Sequence, residues 1–155
     1  MADSTYGLAY EEALRGVVQQ QAVLTDIRGR AATMLGAAAV STSFLGGIAL
    51  QDQKPTGWSW VAVGAFVAVG LLTIWILLPR RGWTFRMSAR KLIREYVEGD
   101  KPADLPEMYR DLALHLENHF EANQKRLGQL FLRLRVASGI LVGEIVLWLF
   151  VLAGR

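Results

Sequence analysis

The chain has 155 residues, 52 % of them hydrophobic, no cysteine and a formal net charge of +3. Without cysteine there is no disulfide framework, thiolate nucleophile or cysteine-ligated metal. The stretches outside its long apolar runs are each too short to bury a large core, so a separate soluble enzyme domain is not expected.

Residues 1–30 read as an amphipathic helix. Asp3 or Ser4 is placed to cap it, and Tyr10, Leu14, Val17, Leu24 and Ile27 recur at mainly helical spacing, with Gln21 interrupting the stripe. No proline follows before Ala31, and Gly29 is the one soft point. This start is polar and acidic, and the apolar run behind it is too long for a cleaved leader, so the first run is expected to stay in the mature protein.

Three apolar runs follow, Ala31–Leu50, Trp58–Leu78 and Val136–Ala153. A bilayer core takes about 20 apolar helical residues to cross, and each run is near that length. The first two carry no Asp, Glu, Lys or Arg, and the third carries only Glu144. The predicted fold is therefore an all-α integral membrane protein. A transmembrane hairpin occupies residues 31–78 (31–50 and 58–78), and a third crossing residues 136–155. Cytoplasmic helical extensions, 1–30 and 79–135, complete a helical bundle.

Orientation follows from charge. The stretch Pro79–Arg135 holds twelve Lys or Arg against eight acids, and Arg80, Arg81, Arg86, Arg90, Lys91 and Arg94 all precede its first acid, Glu95. Basic residues near helix ends stay on the cytoplasmic side. The N-terminus is thus expected inside, the short Gln51–Gly57 loop outside and the C-terminus outside. Trp58, Trp60 and Trp83 flank the runs, where amphipathic rings prefer the headgroup layer. The six cations fix topology and offer an anionic-lipid surface; no motif specifies a nucleic-acid ligand.

After a turn at Gly99–Pro102, Asp104 with Glu107 forms a start resembling a capping box. A second stripe, Leu105, Tyr109, Leu112, Leu116, Phe120, Leu127, Leu130 and Leu134, is broken only by Asn123. One helix from Leu105 to Ala153 would be roughly 70 Å long. Its cytoplasmic part needs a partner for its apolar stripe: the Tyr10–Ile27 stripe or another copy.

Small residues line the crossings. Ala32, Gly36, Ala39, Ser43 and Gly47 share one face, and Gly139 and Gly143 form a GxxxG spacing. Such helix-packing faces allow close backbone approach. They either pack tightly inside one three-helix subunit or line an interface between subunits or a narrow conduit. Glu144 lies near the middle of the third run, where a charged side chain costs roughly 2.5 kcal/mol or more, so it is expected to face protein or water. Depth matching puts it near Val40–Thr42 on the first crossing and near Gly70 and Thr73 on the second. Ser41, Thr42, Ser43 and Thr73 are its candidate hydroxyl partners. It either hydrogen-bonds to such a hydroxyl or joins a ring of carboxylates around an ion path.

Catalytic and cofactor signals are weak. His115 and His119 flank Glu117, but a zinc-protease helix needs the Glu directly after the first His. Asp111, His115 and His119 share a face without an identifiable supporting group, so neither a metal nor another cofactor is expected. No phosphate-binding glycine loop occurs, and enzyme activity is not expected.

The step Leu24-Thr25-Asp26-Ile27-Arg28 before a small-residue first crossing, and the stripe with Asn123 and Arg126 leading into the last crossing, resemble the Pycsar transmembrane effectors and SLATT domains of bacterial anti-phage systems. The resemblance implies a self-associating protein of the bacterial inner membrane that impairs membrane integrity or forms a pore in antiviral defence. On that expectation a cytoplasmic signal rearranges the helical stripe, and Glu144 and Ser41–Ser43 lie near the oligomer axis. A non-conducting scaffold or accessory subunit that docks a partner protein through its cytoplasmic helices is the alternative, and a proton-coupled transporter component using Glu144 is a third.

Overall fold

The computed structural model describes residues 2–51, 54–78, 83, 90, 93–98 and 104–154. Among them every regular element is helical: α1 (Ala2–Ser41), a wide π turn (Thr42–Gly46), α2 (Gly47–Leu50), α3 (Gly57–Leu77), a second π turn (Ile93–Val97) and α4 (Leu105–Ala153). Three of these helical stretches are long and apolar enough to cross a membrane. The turn predicted at Gly99–Pro102 lies outside the described residues.

Local chemistry sets the helix ends. Thr56 and Ser59 form a reciprocal capping box at the start of α3, each hydroxyl accepting the other's backbone N–H at 3.3 Å. At the other end Leu78 is extended, with φ −57° and ψ 131°, because a following proline excludes the helical conformation. Asp104 caps α4, its Oδ1 accepting the Leu105 N–H at 2.9 Å, and Pro106 sits in the first turn, where a missing N–H costs nothing. One boundary expectation needs correction: Asp3 and Ser4 lie inside α1 rather than ahead of it. The helix runs unbroken through Gly29 into the apolar run, as expected, and the irregularity falls at Thr42–Gly46.

The chain divides into two compact units. Unit 1 comprises the described residues of Met1–Thr25 and Arg80–Gly128. Here the early part of α1 pairs with α4: Tyr10 and Tyr109 have ring centroids 5.6 Å apart, and a Cβ on Gly16 would stand 3.3 Å from the Phe120 ring. Val17, Leu112, Leu116 and Leu127 are buried between them. The expected pairing of the two stripes is therefore observed. The polar residue inside it is Gln20, not the exposed Gln21. Gln20 Nε2 donates to the Phe120 carbonyl at 2.9 Å. Asn123 is fully buried within the stripe rather than breaking it.

Unit 2 comprises the described residues of Asp26–Pro79 and Gln129–Arg155. Its helices share one packing code. On α1 the buried positions Ile27, Ala31, Met34 and Ala38 alternate at four and three residues; on α3, Ser59, Ala62, Val69, Thr73 and Ile76 keep the same rhythm around a half-buried Phe66; on α4, Leu130, Ala137, Glu144 and Trp148 keep it around half-buried Leu134 and Leu141. A four–three alternation keeps one seam facing a neighbouring helix along its length. Met34, Ala38, Val69 and Ala137 form one core layer. Ala49, Ala62 and Trp148 form another.

The wide turn changes this rhythm. From Ala38 the inward positions continue as Thr42, Gly46 and Ala49, at four, four and three. A π turn holds more residues than an α turn, so each of its residues arrives later in phase. Thr42 and Gly46 thereby rotate toward the interior, while Ser43 stays on the outer face.

Candidate functional site

Glu144 is completely buried, with a relative exposure of 0 %. It occupies an inward heptad position of α4, which faces the wide turn of the first helical stretch. Thr42 Oγ1 donates to Glu144 Oε1. The other carboxyl oxygen, Oε2, is buried and has no hydrogen-bond partner among the described residues. One helical turn further on, the indole Nε1 of Trp148 is likewise buried and unpartnered. A buried polar atom without a partner costs about 1–3 kcal/mol, so this layer is less stable than an apolar one of the same shape.

Of the four hydroxyls expected near Glu144, only Thr42 reaches it. Ser41 Oγ turns back on its own helix, donating to the carbonyls of Ala37 at 2.8 Å and Ala38 at 3.2 Å. Ser43 is exposed. Thr73, although buried, donates to the Val69 carbonyl at 2.7 Å. The reason is register. Trp58 meets Phe150 edge-on at 5.8 Å, and the Arg133 guanidinium lies 3.1 Å over the Trp75 ring. These two antiparallel pairings bring Gly64, rather than Gly70 or Thr73, to the level of Glu144. Matching the midpoints of the runs displaced α3 by more than one turn.

Trp148 fills the space beside the carboxyl and is 1 % exposed. Its ring is the reason for a glycine in the wide turn: a Cβ on Gly46 would stand 3.1 Å from Cζ2 and 3.2 Å from Cη2. The GG pair at 46–47 was visible in the sequence, but only a three-dimensional neighbour distinguishes the confined Gly46 from the open Gly47.

The small-residue faces point the other way. Ala32, Gly36, Ala39, Ser43, Gly47, Gly139 and Gly143 are all exposed, and a Cβ added at any of these four glycines would meet nothing within 4 Å. The expectation that these faces pack inside the subunit is therefore corrected. The interior uses Ala31, Ala38, Ala62 and Ala137 for close approach, one position off the small face of α1, and fills the remaining volume with Met34, Val69 and Trp148.

Of the basic cluster, Arg80, Arg81, Arg86 and Lys91 lie outside the described residues, while Arg90 and Arg94 are exposed. Trp83 stands 6.0 Å from the Arg126 guanidinium. His115 and His119 bond to each other, Nε2 to Nε2 at 3.1 Å. No group of three or more His, Cys, Asp or Glu is positioned to hold a metal among the described residues.

No protein-family model, curated protein or solved structure matches this chain.

Proposed function

We propose that this is a three-pass protein of the bacterial inner membrane that self-associates through its outward small-residue faces and perturbs the bilayer in its assembled form. The exterior of unit 2 supports the crossing: Val40, Phe44, Trp60, Leu71 and Val142 are exposed while Glu144, Thr73 and Ser59 are buried. That distribution suits a hydrocarbon solvent and would leave a large apolar surface in water. The excess of basic residues in 79–135 supports an N-terminus in the cytoplasm and a C-terminus outside. Because the chain has no cysteine, single cysteines at Lys54 and Glu117 report sidedness against no background: Lys54→Cys should label from outside and Glu117→Cys only after permeabilisation.

The observation that carries self-association is the outward face from Ala32 to Gly47. Lipid tails offer no hydrophobic drive for helix association, so close backbone contact across small residues is what favours it. Gly36→Leu fills that face at a position where an added Cβ meets nothing within 4 Å. We expect it to preserve folding and lower the association constant about tenfold, about 1.4 kcal/mol, in a crosslinking titration in micelles. Unchanged oligomers in Gly36→Leu and Gly143→Leu alike would remove the interface from these faces. Depolarisation of cells on expression, lost in the same variants, tests the effector activity.

One observation favours the scaffold reading. Glu144 is fully buried within the single chain, which speaks for a non-conducting reading over a carboxylate ring around an axis between copies. In unit 1, a groove between α1 and α4, with Gly16, Leu114 and Phe120 among its apolar lining and Glu12, Gln19 and Glu117 among its polar lining, offers a docking surface. A stoichiometric co-purifying protein without depolarisation would establish this reading.

A further inference from the structure

Unit 2 carries a belt of arginines at one level. Ser138 Oγ contacts Met34 Sδ at 3.5 Å, and Arg133 lies over Trp75. That register brings Arg28 and Arg30 of α1 level with Arg133 and Arg135 of α4, beside the Trp75 end of α3. Within the sequence segments at this level, 26–36, 70–79 and 129–141, Asp26 is the single acid against four arginines.

The four side chains are presented differently. Arg30 Nε holds Asp26 at 2.9 Å, with both side chains more than half exposed. Arg135 is exposed and Arg28 half-buried; the Nε of Arg28 is buried without a hydrogen-bond partner among the described residues. Arg133 is held against an indole, which fixes its guanidinium where apolar and polar surroundings meet. On α4 exposed Leu132 stands just before the two arginines and exposed Val136 just after them.

We propose that this belt binds the headgroup phosphate of anionic lipid. The planar guanidinium fork matches phosphate oxygens in a bidentate way. An exposed apolar strip alongside suits the acyl chains of the same molecule, which selects a lipid over a free phosphate or a nucleic acid. None of its four arginines belongs to the Arg80–Arg94 stretch, and the proposal rests on the reading of unit 2 as crossing the bilayer.

The test uses the full chain in nanodiscs of phosphatidylcholine with a minor fraction of phosphatidylglycerol, followed by native mass spectrometry of the released particle. Wild type should retain phosphatidylglycerol preferentially. The R28Q/R135Q variant spares the Arg30–Asp26 and Arg133–Trp75 pairs. Its preference should fall by a factor of about five per arginine, since each cation near an anionic leaflet contributes about 1 kcal/mol. R28K/R135K, which keeps the charge, should retain most of it. If R28Q/R135Q fails to insert, R135Q alone carries the test at about fivefold. Wild-type retention in the neutral variants, or removal of the lipid by millimolar inorganic phosphate, overturns the proposal. A wild-type chain that never enters phosphatidylcholine nanodiscs overturns the crossing reading itself.

Discussion

Trp148→Ala will lower the stability of the detergent-solubilised protein by about 3 kcal/mol, the lower end of the range for aromatic truncation in a core. The lower end applies because an unpacked ring in micelle or lipid loses little transfer energy, whereas the cavity and its lost dispersion contacts remain. The partner effect is more diagnostic. Gly46→Val in the parent chain drives a branched side chain into a ring that a Cβ alone would meet at 3.1 Å, and overpacking of this kind costs about 1–3 kcal/mol. In the Trp148→Ala background the same change enters the space left by the ring and should cost little. Thermal unfolding followed by circular dichroism on the four proteins measures the coupling. Additive effects would mean that the ring and the wide turn do not share one space.

Thr42→Val will cost about 1–3 kcal/mol, because it leaves both oxygens of a fully buried carboxyl without a donor. Glu144→Gln should cost less, since an amide oxygen still accepts from Thr42. Glu144→Leu combined with Thr42→Val should come close to the parent or exceed it, as replacing a buried polar pair by apolar groups of similar shape often does. If Glu144→Leu is as damaging alone as Thr42→Val, and the double variant is worse than either, the carboxyl has a structural partner other than Thr42. If the double variant is stable but cells expressing it no longer depolarise, Glu144 is retained for activity rather than for folding.

Much of this architecture was legible in the sequence because it depends on long-range composition. Two charge-free runs and a third interrupted only by Glu144 gave the three apolar helices. The lack of a proline between Leu105 and Ala153, apart from Pro106 in the first turn, gave one continuous α4. Two apolar stripes of matching period gave the pairing in unit 1. Depth along the third run brought Glu144 to the level of Thr42.

What escaped was phase. Gln20 and Gln21 differ by one position, or about 100° around a helix, and composition does not say which faces inward. Ser41, Thr42 and Ser43 are equivalent as donors, and only the wide turn selects the middle one. Small residues were legible as a face but not as an inward or outward one, because both a helix contact and a lipid-facing contact between copies demand small side chains. The level of α3 depended on Trp58 meeting Phe150 and Arg133 meeting Trp75, pairings between positions far apart in sequence.

The wide turn absorbs one residue beyond the regular count. From Ala38 a four–three winding would turn positions 41, 45 and 48 inward, whereas the chain turns Thr42, Gly46 and Ala49 inward. Removing one residue from Thr42–Gly46 would therefore let the chain wind regularly and keep Ala49 against the indole. The packing beyond the turn should tolerate that loss, and its cost should fall on the carboxyl, toward which position 41 would turn in place of Thr42.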